Sequence, residues 1–323
     1  MATQTSTDNS NKPIILGRDF DSKDVIKSES LLQTAIRRVM QDYLTLLALG
    51  VLFFLAVISF FAPQISDALD VSYTEPLAAR RFLAMGAEYC VADSCTTHVF
   101  GTDHLGRDMF ARLLYGGRVS LMVGVVAAFG ATTIGVTLGL LTGYYQGGPF
   151  SIIDDFMTWF ITTLNSIPLL MLLILIASVV IPSIQTLIIV LALVSWTGTM
   201  RLIRGETLSQ RENEYVISAR AMGASPIRIM FVHILPNTLS VLITALAIQI
   251  GTLILVESAL SFLGLGVRPP DPSWGNMLSG AQAHFRQGAH LSIIPGICIV
   301  VTVLSLYLVG DGLRDAFDPR SVK

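Results

Sequence analysis

Residues 201–237 read RLIRGETLSQRENEYVISARAMGASPIRIMFVHILPN, a charged, water-compatible island between two long apolar runs. The stretch spells helix, turn, helix. Glu212, Asn213 and Glu214 suit a helix N-terminus, where unpaired N–H groups and the helix dipole favour side-chain oxygens and negative charge. Tyr215, Ala219 and Met222 then recur at helical spacing, and Gly223 supplies the left-handed residue that ends such a helix. A second helix is expected to follow at once, with Ser225 as N-cap, Pro226 at the position where a missing N–H is harmless, and an end at Pro236. The result is a small, tightly turned tip at 221–225, with Arg201, Arg204, Arg211, Arg220 and Arg228 around it. Such a tip suits insertion into another protein's groove. A DNA-reading helix-turn-helix has a similar outline, but its setting between apolar runs argues against nucleic acid as a partner.

Outward from the island the chain is 52% hydrophobic and 14% charged, with a mean hydropathy of +0.65, whereas soluble domains carry about 25% charged residues. A bilayer core asks for about 20 apolar residues per helix. Six runs qualify: Leu44 to Ala62, Ser120 to Leu141, Phe156 to Ile181, Ile184 to Met200, Leu239 to Leu263 and Leu291 to Val309. An all-α membrane protein of six transmembrane helices follows. With both termini inside, the cytoplasmic segments hold 14 of the 21 lysines and arginines, as the positive-inside rule requires. The expected division is a cytoplasmic tail and interfacial helix at 1–43, a first span at 44–62, an extracytoplasmic segment at 63–118, a transmembrane domain at 119–313 containing the loop 201–237, and a cytoplasmic C-terminus at 314–323. Residues 1–28 read as a disordered tail. Nothing in the polar first 43 residues resembles a cleavable signal, so the first run is expected to stay as an anchor.

Several residues inside the runs call for a role. Ala127, Ala131, Gly135, Gly139 and Gly143 recur every four residues and make a smooth stripe for a close helix-to-helix contact, within this chain or with a partner. Glu257 is costly at mid-bilayer, about 2.5–3.5 kcal/mol on insertion scales, so it should be paired, protonated or near water. With Ser258, and with Asn165 and Ser166 in the third run, it is a candidate for a translocation path; a packing role is equally open. No broken-helix pair is evident. Outside, Cys90 and Cys95 admit a disulfide or, with His98, a metal pair. Asp103, His104 and Asp108 read either as an acid-base or metal cluster or as a capped, salt-bridged helix start. No phosphate-binding Gly-x-x-x-x-Gly-Lys motif occurs, and none of the four lysines follows a glycine; enzyme activity is not expected.

The segment YVISARAMGASPIRIMFVHILPN resembles the cytoplasmic coupling loop of permease subunits in binding-protein-dependent ABC importers. That pattern is Glu-Ala-Ala, three residues, Gly, and Leu-Pro about a dozen residues on. Ala219, Gly223, Leu235 and Pro236 fall on it; Ile217 and Ser218 replace the Glu and first Ala, so no role resting on that Glu carries over. GTDHLGRDMFARLLYGGRVSLMVG from Gly101, LVESALSFLGLGVRPPDPSWGNML from Leu255 and the terminal Gly310, Gly312 and Asp315 are similar to the C-type subunit of dipeptide, oligopeptide and nickel importers. In SIIDDFMTWFITTLNSIP, Thr158, Trp159 and Thr162 replace the family's charged residues, so no ion pair is expected on this helix. The resemblance covers about residues 100–320. It implies a type I ABC importer permease fold in the cell inner membrane, with Tyr215, Ala219, Arg220, Ala221, Met222, Gly223, Ala224 and Ser225 docking on an ATPase. It further implies a second, homologous permease, two ATP-binding subunits that hold ATP and Mg, an extracytoplasmic solute-binding protein, and no cofactor on this chain. The rivals are a proton-coupled secondary transporter using Glu257 and a membrane-anchored enzyme using His98 and His104. Dipeptides, oligopeptides, nickel chelates and glycosides all suit the resemblance.

Overall fold

The computed structural model describes residues 31–317, apart from 92–93, 149–150 and 182. The expected disordered tail and the last six residues lie outside them. A short helix α1 (Leu31–Val39) leads into α2 (Tyr43–Phe60), whose start is set by Asp42, which accepts the N–H groups of Leu44 at 3.1 Å and Thr45 at 3.3 Å. The short α3 (Ala62–Ala68) opens the outer segment, which continues into the hairpin β1 (Ala87–Val91) and β2 (Ser94–His98). Asp108 then caps α4 (Met109–Tyr145), accepting from the Ala111 N–H at 2.7 Å. At 37 residues, α4 is about 55 Å long, well beyond the roughly 30 Å of a bilayer core.

The third apolar run is not one straight span. It divides into α5 (Ser151–Asn165) and α6 (Leu169–Val179), bent by 83°, which corrects the expectation that no broken helix is present. Pro168 has no N–H to donate and pushes Ile167 away from helical backbone, so the chain turns where Asn165 and Ser166 lie. Ser183 caps α7 (Ile184–Val194), and α8 (Thr197–Gln210) follows almost in line, so the fourth run extends through Gln210 and takes in the first ten residues of the island. Among the described residues, five helical stretches are long and apolar enough to cross a membrane, or six with the bent pair counted.

The island itself folds as α9 (Glu214–Ala221) and α10 (Pro226–Arg228), then a π-helical stretch Ile229–Ile234 that runs straight into α11 (Leu235–Phe262). Pro236 therefore does not end the second helix. It sits in the first turn of α11, and the wider π turn before it accommodates a residue with no N–H and a bulky ring. After a stiff outer turn come α12 (Trp274–Gln282), with a Ser273 capping box, and α13 (His290–Phe317).

The central element is α4, lying along α7, α8 and α11, while α13 joins α2, α11 and α12. The small-residue stripe has its partner inside this chain: a Cβ on Gly135 would stand 2.8 Å from Thr199 Cβ, one on Gly139 2.9 Å from Ile203 Cβ, and one on Gly143 2.7 Å from Thr207 Cβ. Ala127 and Ala131 are fully buried. At the inner end, Gly312 packs on Thr45, and Arg38 donates to the Ala316 carbonyl at 3.2 Å, which ties α1 and α2 to the end of α13.

Candidate functional site

The tip at 221–225 is built from its turn outward. Gly223 has φ +81°; its N–H bonds the Arg220 carbonyl at 3.0 Å, and the Ala224 N–H reaches back to Ala219 at 3.0 Å. This pair of bonds satisfies the last carbonyls of α9 and requires a left-handed residue between the helices. Ser225 restarts the chain by accepting from the Arg228 N–H at 3.4 Å. Val216, Ile229, Met230 and Ile234 are buried with Leu140 and Ile203, so α9 is clamped to the inner ends of α4 and α8. Ala219 is on this buried side, 3% exposed, and seats the helix on its own chain, a correction to its place among the docking residues. Tyr215 is half-engaged, its hydroxyl 2.7 Å from Gln210 Oε1. The outward surface is apolar: Met222 is 82% exposed and Ile227 68%, beside exposed Arg220, Ala221, Gly223 and Ser225, with Ala224 partly covered. Ile217 and Ile227 were missed in the sequence because their apolar character suited a buried helix face equally well.

Three of the five arginines hold the tip in place. Arg204 forms a two-pronged pair with Asp154 of α5, at 2.6 and 2.8 Å, with Asp154 buried. This corrects the expectation of no ion pair on that helix: the pair uses Asp154, one turn before Thr158. Arg211 donates to the carbonyls of Gly143 and Gln146 at 3.2 and 2.7 Å, closing the C-terminal end of α4. Arg220 lies 5.7 Å over the Tyr144 ring.

A cavity of about 650 Å³ opens at the α5–α6 bend, lined by Asn165, Pro168, Thr197, Arg201, Gln249 and Thr252 among others. Thr197 donates to Asn165 Oδ1 at 3.2 Å and Thr199 to Gln249 Oε1 at 2.6 Å, while Gln249 donates to the Ser195 carbonyl at 2.9 Å. A second cavity of about 550 Å³, with Glu206 and Arg314 on its wall, shares Leu202, Ala245 and Ile248 with the first. The two run along one face of α8 and α11. Of the expected path residues, Asn165 lines this groove. Ser166 instead donates to the Thr162 carbonyl at 2.9 Å, and Glu257 and Ser258 are buried elsewhere. Glu257 has no exposed surface; Ser120 and Ser261 donate to its two oxygens at 3.0 and 2.7 Å, and Ser120 also accepts the Trp274 N–H. That carboxylate joins α4, α11 and α12. Gln249, a lone amide within an apolar run, was the missed signal for the groove.

On the outer side, Cys90 and Cys95 are joined in a disulfide across the hairpin. His98 Nδ1 pairs with Asp108 at 2.7 Å, Asp103 with Arg107, and His104 stacks on His284 with ring centres 5.0 Å apart. Asp103, His104 and Asp108 are thus engaged separately, and among the described residues no three His, Cys, Asp or Glu side chains are grouped to hold a metal. α12 turns Trp274, Met277 and Ala281 into the core.

A family model described as binding-protein-dependent transport system inner membrane component matches residues 135–323. The dipeptide transport system permease protein DppC of Alkalihalophilus pseudofirmus is 37% identical over 286 residues, covering 88% of this chain and 89% of that protein. The glutathione transport system permease protein GsiD of Pectobacterium atrosepticum is 39% identical over 225 residues, covering 70% and 73%. Among solved structures, a chain of the MetNI methionine ABC transporter in inward-facing conformations shares the fold, with a TM-score of 0.54, 20% identity, and coverage of 65% of this chain and 98% of that one.

Proposed function

Since this chain belongs to the family of binding-protein-dependent transport system inner membrane components, we propose that it forms half of the pathway of an ATP-driven importer for short peptides. It is a multi-pass membrane protein of the permease type. The peptide class is drawn from relatives named for dipeptide and glutathione transport. The observation that carries the coupling role is the exposed apolar tip around Met222 and Ile227, joined to the inner end of α8, which Arg204 ties to α5 and Arg211 to the end of α4. A push on the tip reaches α8 and α4 as a rigid-body motion, because buried contacts and ion pairs leave little slack between them.

The groove on α8 and α11 is walled by one chain, and a second, homologous permease supplies the facing wall. Two cytoplasmic ATP-binding subunits hold ATP and Mg and dock on the two tips, while an extracytoplasmic binding protein delivers the solute. This chain binds no cofactor in that scheme. The test is uptake of a labelled dipeptide into vesicles carrying the chain with its permease, ATPase and binding-protein partners. Uptake that needs ATP and survives collapse of the proton gradient is expected; uptake driven by a proton gradient without ATP would overturn the reading.

A further inference from the structure

The outer ends of α4, α11 and α12 enclose a cavity of about 290 Å³, separate from the groove described above. Arg107, Arg112, Arg268 and His104 lie on its wall, and among its lining residues only Asp103 is acidic. Asp103 is already engaged by its own turn. Its Oδ1 accepts the N–H groups of Leu105 and Arg107 at 2.9 and 3.0 Å, and its Oδ2 takes Arg107 Nε and Nη2 at 2.8 and 2.6 Å. Burial pushes this carboxyl up, but the hydrogen bonds and charge of Arg107, with help from Arg112, outweigh it and hold the group below its usual range. Asp103 is therefore ionised, and it is committed to Arg107.

Arg112 is left short of acceptors. It is 6% exposed, its contact with Asp103 is a long one, Nε at 3.6 Å, and its buried Nη1 meets no acceptor among the described residues. Glu257, behind the wall residue Ser261, has both oxygens taken by serine hydroxyls. A buried guanidinium that shares its one close counter-charge with Arg107 and leaves a donor unpaired is unfavourable, and a planar fork of N–H donors is shaped for an oxyanion. Arg268 stands at the exposed rim, and Met109 and Met277 supply an apolar wall.

We propose that this outer cavity binds a single oxyanion group, a carboxylate or phosphate, with the Arg112 guanidinium donating from the buried side and Arg268 closing over it from the rim. The volume of about 290 Å³ admits such a group with a short apolar stem. The group comes either from a small soluble anion or from the phosphate of an outer-leaflet lipid, since the cavity lies at the outer ends of membrane-spanning helices.

The experiment uses the purified full-length chain and two probes. Inorganic phosphate is titrated with the protein's thermal transition as readout, and phosphatidylglycerol is compared with phosphatidylcholine by native mass spectrometry. Saturable binding of at least one anionic probe is expected. Arg268→Gln should weaken it roughly tenfold or more, the loss of one charge-assisted hydrogen bond, and Arg112→Lys should do the same while keeping the charge, whereas Arg286→Gln, outside the cavity, should leave it unchanged. Phosphate binding assigns the site to soluble anions, and binding of phosphatidylglycerol alone assigns it to the lipid headgroup. No saturable binding of either probe, or full-strength binding by Arg268→Gln, overturns the proposal even if Arg112→Lys fails to fold.

Discussion

Gly223 shows how much one position can carry. A Cβ there would meet nothing within 4 Å, so replacement is resisted by the backbone at φ +81° and not by crowding. Gly223→Val should cost roughly 1–2 kcal/mol in that conformation, while Gly223→Asn, which tolerates the left-handed region, should cost less. Both variants should insert, and co-purification of the ATPase subunits should fall for valine and largely survive for asparagine. Equal docking by both would separate the turn's geometry from coupling. The second residue-scale test concerns Asp154, 4% exposed and paired with Arg204. Arg204→Met leaves a buried carboxylate alone, which should destabilise the chain by about 3–5 kcal/mol, and adding Asp154→Asn should restore much of that. Thermal unfolding of the purified single and double variants decides it; if the double variant is no more stable than the single, the pair is not the reason. Gly223 was legible in the sequence because a glycine between two helix signals has a local cause. The Asp154–Arg204 pair was not, since its partners are 50 residues apart and only the packing of α5 and α8 against α4 brings them together.

At the scale of elements, spacing shows which face of a helix is smooth but not what lies against it. The stripe on α4 was readable as a close contact, yet only the fold identifies α8 as its partner. Gly139→Leu would place a Cβ 2.8 Å from the Met200 carbonyl oxygen and 2.9 Å from Ile203 Cβ, and backbone cannot yield as a flexible side chain can. The variant should therefore lose several kcal/mol of stability or fail to assemble, whereas Val126→Leu, at an exposed position of the same helix, should be close to neutral. Comparable yield and melting behaviour for the two would mean that α4 and α8 are not in close contact. The bend between α5 and α6 and the π turn before α11 both sit at prolines visible in the sequence. Pro168 and Pro236 nevertheless had opposite outcomes, a sharp break and a continuous helix. A proline removes one hydrogen bond in either case, and neighbouring packing decides whether the chain turns or widens to keep going.

For the molecule as a whole, orientation ties the two ends of the argument together, because the tip can meet a cytoplasmic ATPase only if the disulfide hairpin lies outside. Two independent features agree. Lysine and arginine concentrate on the side that carries 201–237, and the Cys90–Cys95 bond is on the opposite side, where an oxidising compartment keeps such bonds. A cysteine placed at the exposed Ser225, in a Cys298→Ser background, should therefore resist a membrane-impermeant maleimide in intact cells and react once the membrane is inverted. In the same intact cells an impermeant phosphine should release Cys90 and Cys95 for labelling from outside, so each face serves as the other's control. Labelling of Ser225→Cys from the outside would place the tip beyond the reach of any ATP-driven subunit. The groove on α8 and α11 would then need another source of energy, and the importer mechanism would fail even with every helix in its described place.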